Sequence, residues 1–179
     1  MVRKSLENAV QMEYKALTDD MTGAYNKNRL IELLNNRERD GQDIAVIYWD
    51  VNQLKYVNDN WGHLCGDRLI TEVAKTIQSI AREEDIVIRY GGDEFLLYVA
   101  NGTKEIAEQL IKTWKVRLEE EKKRENYEFP VSASVGYALG KHSQLKDIIV
   151  AADKDMYANK RIRRESANQR DSKKGVNES

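Results

Sequence analysis

Apolar residues follow two different periods along this chain, and the two periods separate strands from helices. Four runs are rich in β-branched, aromatic or alternating small residues and are bounded by polar or Gly-containing segments, which is typical of β-strands. The first of them is apolar at every position and therefore predicts a buried central strand. These runs are residues 44–49, 86–88, 95–99 and 131–139.

Four other segments repeat their apolar residues at helical spacing. We expect helices at about 27–35, 67–81, 103–122 and 145–161. In the last three the apolar residues share one face, which predicts that each helix packs on a common core. The predicted core residues are Leu69, Ile70, Val73, Ile77, Ile80, then Ile106, Leu110, Ile111, Trp114, Leu118, and finally Leu145, Ile148, Ile149, Ala152 and Met156.

The order of these elements predicts the fold class. It reads β-α-β-β-α-β with added helices, an α+β arrangement of the ferredoxin-like type. A right-handed crossover makes the first strand run parallel to the second. Asp50 ends the first strand and Asp93 follows the second. The topology therefore brings two acidic positions to one edge of the sheet.

The two ends of the chain differ from its centre. Residues 2–18 are charged and helical in pattern, with Val2, Leu6, Val10 and Leu17 on a loose stripe. This segment is either a surface helix or a signalling helix that pairs with its copy in a dimer. After Arg164 the chain is polar and has no period, which predicts a disordered tail. We therefore divide the chain into an N-terminal helix (1–17), one domain (18–164) and a tail (165–179).

Composition narrows the class of protein. The chain has 179 residues, which fits one domain, and its net charge is −1. A general nucleic-acid or anionic-membrane binder would need a basic excess, so neither partner is expected. The single Cys65 excludes an internal disulfide and fits a reducing compartment. No apolar stretch is long enough for a membrane span and no signal-peptide start is present, so we expect a soluble cytoplasmic domain whose full-length parent has room for a membrane tether.

The segment Arg89-Tyr90-Gly91-Gly92-Asp93-Glu94-Phe95 is the most informative of the chain. A Gly-Gly turn between two apolar runs predicts a hairpin with two adjacent carboxylates at its tip. A solvated hairpin tip is the commonest outcome for such a turn. Together with Asp50 at the same edge, however, these carboxylates form the hard oxygen set that Mg²⁺ prefers, which favours a metal site next to phosphate.

Residues 18–164 resemble the GGDEF family, the diguanylate cyclases, whose fold is that of the nucleotidyl cyclases and polymerase palms. Several separated motifs in the family's order carry the resemblance. Asn52 stands where a second Asp is usual, and Arg163-Arg164-Glu165 replaces a usual Gly-Arg-Asn. The matching segments are 18–26, 50–55, 58–63 with 66–67, 89–95, 131–136 and 153–160.

The resemblance implies a reaction and a set of roles. Two GTP molecules would condense into cyclic di-GMP and two pyrophosphates, with Mg²⁺, or Mn²⁺ in its place, assisting attack of a 3′-hydroxyl on an α-phosphate. Either Asp93 or Glu94 would accept the proton, and the residues leave that choice open. The implied metal ligands are Asp50, the Val51 carbonyl, Asp93 and Glu94. The implied catalytic residues are Asp93, Glu94 and Lys55. The implied substrate-binding residues are Gln53, Leu54, Asn58, His63, Asp67, Gly91, Gly92, Lys160 and Arg164.

Within that set, Asn58 and Asp67 would read the guanine edge, because a carboxylate accepts from the guanine N1–H and amino groups and rejects adenine. Lys55, Lys160 and Arg164 would neutralise the triphosphate. Each of these residues also has a simpler structural interpretation. Lys55 and Arg164 are also interpreted as ordinary surface charges. Asn58 is also interpreted as a turn cap, and Asp67 as a residue at a helix N-terminus.

Two further expectations come with the family. Each chain would hold one GTP, so catalysis needs a two-fold homodimer with apposed sites, and an upstream sensor domain acting on the N-terminal helices would control it. Arg82 and Asp85 precede the glycines at the spacing of the family's inhibitory product site, which binds cyclic di-GMP. By chance alone, Arg-x-x-Asp is a helix-ending Arg followed by a loop Asp.

Two other functions compete with the cyclase. One is a catalytically silent module that binds GTP or cyclic di-GMP and regulates a partner; the complete set of acidic residues argues against it. The other is a different nucleotidyl cyclase or a polymerase-like palm, since fold does not fix function. The guanine-reading pair Asn58 and Asp67 argues against an ATP enzyme.

Overall fold

The computed structural model describes residues 12 and 14–174, with side chains up to 162 and at 165. Four strands form the sheet: β1 (Asp43–Val51), β2 (Ile86–Arg89), β3 (Glu94–Ala100) and β4 (Ala133–Lys141). Five helices accompany them. They are α1 (Lys27–Asn35), α2 (Leu54–Trp61), α3 (His63–Gln78), α4 (Lys104–Glu125) and α5 (Leu145–Lys174), with short 3₁₀ turns at Arg37–Arg39 and His142–Gln144.

The sheet has the order β2-β3-β1-β4, and every neighbouring pair is antiparallel. This is the ferredoxin-like order, so the predicted fold class is confirmed. β1 and β2 point the same way because each is antiparallel to β3, which lies between them. The acidic positions therefore meet at one edge as expected, where Asp50 of β1 pairs in register with Glu94 of β3.

Alternate residues of the sheet feed two separate cores. One face packs on α3 and α4 through residues such as Trp49, Phe95 and Trp114. The other face packs on α1 and α5 through residues such as Tyr48 and Met156. The pleat alternates side chains between the faces, so a strand buried on both sides must be apolar at nearly every position. This is why the 44–49 run is continuous.

Several boundaries differ from the sequence prediction. α3 begins at His63 rather than at residue 67 and ends at Gln78, and β4 begins and ends two residues later than expected. α2 was not predicted: it has only eight residues, and its apolar stripe of Leu54, Val57 and Trp61, which packs on the core, is too short to stand out in the sequence. Asn58 therefore lies inside a helix, and His63 and Cys65 lie in the first turn of α3.

The sequence predicts a disordered tail after Arg164, whereas α5 continues through residues 165–174 to Lys174. This stretch contains several good helix formers. The stripe predicted over residues 2–18 falls mainly outside the described residues; within them, residues 14–17 are helical. In the described part of the chain, no helix combines the length and the apolar character that crossing a bilayer requires.

Candidate nucleotide and metal site

The centre of the candidate site is the end of β1. Asp50 is the register partner of Glu94, so the two side chains leave the same face of the sheet as neighbours. The Asp50 carboxylate is about four-fifths shielded from solvent and forms an ion pair with the ammonium group of Lys160 on α5. The backbone N–H of Val51 donates to the carbonyl of Asp93 at 2.8 Å, which ties the hairpin tip to β1.

Two neighbours define the position of the Glu94 carboxylate: the hydroxyl of Tyr48 and the backbone of Gly91. The Tyr48 hydroxyl donates to Glu94 Oε1 at 2.6 Å. Burial raises the pKa of Tyr48, and the hydrogen bond to the Glu94 carboxylate raises it further, so this phenol remains a donor. Gly91 leaves room for the carboxylate, because a Cβ at that position would lie 2.2 Å from Glu94 Oε2. A larger residue at position 91 would therefore displace the Glu94 carboxylate from its present place.

The hairpin tip is braced from outside the sheet. The Arg89 guanidinium donates to both carboxylate oxygens of Asp19 at 3.0 Å and to the carbonyl of Gly92 at 2.7 Å. Burial by itself would raise the pKa of Asp19, but hydrogen bonds from Thr22 and Arg89 outweigh burial and lower it. Asp19 thus stays charged and fixes the arginine that holds the Gly-Gly turn.

The segment predicted to read guanine lies on α2 and α3. Asn58 is half-buried on α2, and Asp67 is exposed on α3, as is His63. The Asn58 side chain lies against Gly66 of α3, where a Cβ would be 1.9 Å from Asn58 Oδ1. The structure therefore places Asn58 beside the residue that precedes Asp67, and a guanine contact shared by the two stays a prediction.

The chain turns sharply between β1 and α2. Gln53 has φ 61°, a left-handed conformation that is uncommon for a residue with a side chain. No side chain caps the N-terminus of α2, where Leu54 and the exposed Lys55 occupy the first turn. Unsatisfied N–H groups and a positive helix end suit a phosphate, which fits the predicted role of Gln53 and Leu54.

Asn52 occupies the position where the family usually carries a second Asp. Its amide donates to Ser132 Oγ at 3.3 Å, and its Oδ1 accepts from Ser134 Oγ at 2.9 Å. Its backbone N–H also donates to the Ser132 carbonyl at 2.9 Å. Asn52 therefore fastens the turn after β1 to the start of β4 and is not directed at a metal position.

Arg82 and Asp85 bind each other. The guanidinium donates to both Asp85 oxygens at 2.9 and 2.8 Å and to the Ala100 carbonyl at 2.7 Å. The Asp85 side chain is fully buried and also accepts from the backbone N–H groups of Arg82 and Ala100. This pairing raises the pKa of Arg82. Product binding by the pair stays a prediction, in which Arg82, about one-third exposed, is the accessible member.

A sequence profile described as "Diguanylate cyclase, GGDEF domain" matches residues 16–166. The chain belongs to this family. Among GGDEF relatives, the "Probable diguanylate cyclase DgcJ" of Escherichia coli K12 is 33% identical over 164 residues, which cover 89% of this chain and 32% of DgcJ. "Cyclic di-GMP phosphodiesterase PdeR" of the same organism is 34% identical over 149 residues, covering 81% of this chain and 22% of PdeR. The chain thus spans about a third or less of these relatives.

Solved GGDEF structures have the same fold. The coiled coil and GGDEF domain of DgcB from Caulobacter crescentus, in complex with c-di-GMP, aligns with a TM-score of 0.75 and 27% identity, covering 89% of this chain and 88% of that one. Diguanylate cyclase SiaD from Pseudomonas aeruginosa, in complex with its activator SiaC, aligns with a TM-score of 0.73 and 26% identity, covering 89% and 64%.

The acidic edge of this GGDEF domain suits a magnesium ion that shares its ligands with a nucleotide. Within the described residues, no group of three or more acidic, His or Cys side chains converges tightly enough to hold a metal by itself. Mg²⁺ commonly takes only one or two carboxylates and completes its shell with phosphate and water oxygens. Asp50 and Glu94, opposed on one face, are two carboxylates of that kind, and Asp50 already pairs with the Lys160 ammonium group.

Three residues that shape the site were not among the predicted site residues. Tyr48 precedes Asp50 by two positions, and the strand period alone would have placed both on one face. Asp19 and Arg89 were included in motifs but received no role, because their contact joins residues 70 positions apart. The side chain of Arg164, which was predicted to bind phosphate, lies outside the described part of the chain.

Proposed function

We propose that this chain is an active diguanylate cyclase that condenses two GTP molecules into cyclic di-GMP and two pyrophosphates. The observation that carries the proposal is the opposition of Asp50 and Glu94 at the end of β1, with Lys160 at the same carboxylate. A pair of carboxylates beside a cationic side chain is what phosphoryl transfer needs to position and neutralise a triphosphate.

The roles follow from where the residues lie. The N-terminus of α2 and Lys55 meet the phosphates, while Asn58 and Asp67 meet guanine, so one GTP extends from α3 to the acidic edge. Mg²⁺, or Mn²⁺ in its place, would be held by Asp50, the Val51 carbonyl, Asp93 and Glu94, and it would polarise the reacting phosphate.

The chain's own residues complete the site. Lys160 leaves Asp50 for phosphate oxygens, and Arg164 adds a second cation. Asp93 or Glu94 accepts the proton of the attacking 3′-hydroxyl. The hydroxyl belongs to the nucleotide on a second copy, so the working unit is a homodimer. Upstream sequence that aligns the N-terminal helices would set how often two sites meet.

A silent nucleotide-binding module is the second candidate. The observation that favours it is the ion pair itself: Lys160 already neutralises Asp50, so this carboxylate has a partner within the chain. Such a module would bind GTP without turnover and regulate a partner.

Incubation of the purified chain with GTP and Mg²⁺ at several protein concentrations, followed by mass spectrometry of the products, separates the two. We expect cyclic di-GMP with a steeper-than-linear dependence on protein, loss of product in Asp50→Asn and Asp93→Asn, and loss on chelation without change in circular dichroism. Asp147→Asn is the matched control, because Asp147 is exposed near the start of α5, remote from the acidic edge. GTP that binds to dimeric protein and stays unconverted would favour the silent module.

A further inference from the structure

In the sheet that the described residues form, strand β4 lies at the edge and pairs with β1. Half of its backbone groups are therefore directed away from the strands of that sheet. In an antiparallel pair, residues two apart direct their N–H and C=O groups to the same side. Val135 and Tyr137 are two apart and direct these groups away from β1. Open edge groups of this kind need another partner.

Helix α5 supplies that partner through two side chains one turn apart. Asp155 Oδ2 accepts from the backbone N–H of Tyr137 at 2.9 Å. Asn159 Nδ2 donates to the carbonyl of Val135 at 3.1 Å. Four helical residues span about 6 Å, and two strand residues span about 6.6 Å. The two contacts therefore fit together only when α5 has one position along β4.

A glycine between the two contacts lets the backbones approach. A Cβ on Gly136 would lie 2.0 Å from the backbone nitrogen of Met156 and 2.6 Å from the carbonyl carbon of Asp155. Met156 is 3% exposed, so the helix has no free space to slide on that side. Gly136, Asp155 and Asn159 together fix both the distance and the register of α5 on the edge strand.

Lys160 follows Asn159 directly in the chain. Its ammonium group pairs with Asp50, and about one-fifth of each side chain is exposed. The stem of a lysine is flexible but has a fixed length, so the region that its charge can reach is centred on the Cα that the helix holds. A helix that shifted along β4 would carry Lys160 away from the acidic edge.

We propose that Asp155 and Asn159 are positioning residues that hold Lys160 at the nucleotide site by hydrogen-bonding the open edge of β4. The inference rests on the proposed function, since it assumes that Lys160 meets the phosphates of GTP. Neither residue touches the substrate; both act through the placement of α5. Asp155 acts as a hydrogen-bond acceptor, so its role needs a side-chain oxygen at this position and does not need a negative charge.

The test compares Asp155→Ala, Asp155→Asn and Asn159→Ala in the full chain, each alone and combined with Lys160→Ala. Gln109→Ala is the matched control, because it removes a helical amide on α4 that bonds Thr113 of its own helix. The readouts are kcat/KM for GTP, affinity for a non-hydrolysable GTP analogue with Mg²⁺, and hydrogen exchange of the Tyr137 amide. The exchange readout does not depend on catalysis.

We expect Asp155→Ala and Asn159→Ala to lower kcat/KM by roughly three- to tenfold, the scale of one lost hydrogen bond. Asp155→Asn should stay near wild type, since its Oδ1 still accepts from Tyr137, and the Tyr137 amide should exchange faster only in Asp155→Ala. In the Lys160→Ala background the same changes should have no further effect, as coupled residues do in a double-mutant cycle.

Undiminished kcat/KM in both alanine variants of an active chain would overturn this inference alone. Equal losses of kcat/KM in the wild-type and Lys160→Ala backgrounds would also overturn it, because they would indicate a general structural role. A loss of kcat/KM in Asp155→Asn as large as in Asp155→Ala would overturn it too. A wild-type chain that neither binds nor converts GTP would overturn the proposed function and this inference with it, even if the exchange result confirmed the contact with β4.

Discussion

Gly66 offers a sharp test of how this domain reads its base. A Cβ at Gly66 would lie 1.9 Å from Asn58 Oδ1 and 2.9 Å from Asn58 Cγ, whereas side chains do not approach closer than 3.0 Å. Gly66→Ala therefore forces the Asn58 carboxamide to move by at least about 1 Å. A hydrogen bond of ordinary length to guanine would not survive that displacement.

The expected loss can be scaled from this one contact. A net hydrogen bond contributes about 0.5–1.5 kcal/mol, which corresponds to as much as roughly tenfold in affinity. Alanine is favoured over glycine inside a helix by about 0.5–1 kcal/mol, and Asn58 is only half-buried and free to rotate. The free energy of unfolding should therefore change by less than about 1 kcal/mol, while GTP recognition weakens.

The assay measures kcat/KM for GTP and the preference for GTP over ATP, together with thermal unfolding. Gly41→Ala is the control, because a Cβ there meets nothing within 4 Å and its backbone φ is not positive. We expect Gly66→Ala to lower kcat/KM for GTP and the preference for GTP by about the same factor, roughly tenfold, and Gly41→Ala to change neither.

An unchanged preference for GTP in a well-folded Gly66→Ala protein would refute the reasoning, because Asn58 would then have no part in reading guanine. A parallel collapse of stability and activity would also count against it, since the loss would then come from the fold.

Three further predictions address other parts of the site. Tyr48→Phe should lower kcat by roughly tenfold with little change in unfolding temperature, because the 2.6 Å bond that orients Glu94 is lost; equal kcat would contradict this. The pKa of Asp19 is lowered from 3.8, so its charged form stabilises the fold above that pH and the benefit disappears as pH falls through the folded pKa. Unfolding curves should therefore show wild type more stable than Asp19→Asn at pH 7 and the difference shrinking below about pH 4; a constant difference would exclude the linkage. Arg82→Ala should relieve inhibition by added cyclic di-GMP, whereas Asp85→Ala should mainly lower the unfolding temperature, because that carboxylate is buried against Arg82; inhibition that persists in Arg82→Ala would remove the predicted product site.

The element types along most of the chain were predictable because their periods are unambiguous. The continuous run at 44–49 became the central strand, and every predicted core residue of the last helix is buried. Element ends were less predictable, since a helix stops where capping and packing allow. α2 escaped prediction for a related reason, because it has only two turns and begins directly after the left-handed residue Gln53.

The candidate site, too, could be predicted from the sequence only in part. Asp50 and Glu94 could be brought to one edge from connectivity alone, because strand order and crossover direction obey simple rules. The partners of these two carboxylates could not be predicted. The hydrogen bond from Tyr48 to Glu94 and the ion pair of Lys160 with Asp50 each join distant segments and depend on side-chain placement. The same holds for the buried pairing of Arg82 with Asp85, which a spacing of three residues allows without requiring.

By itself, then, the sequence determined the periods of its strands and helices, their order, the family and the acidic residues at the sheet edge. These features are local in the chain, or follow from rules that act on the order of elements. The tertiary structure decided which cation faces Asp50, which hydroxyl orients Glu94 and how α5 is fastened to the open edge of β4. Those choices depend on hydrogen-bond and ion-pair distances between residues far apart in the chain, and only packing sets such distances.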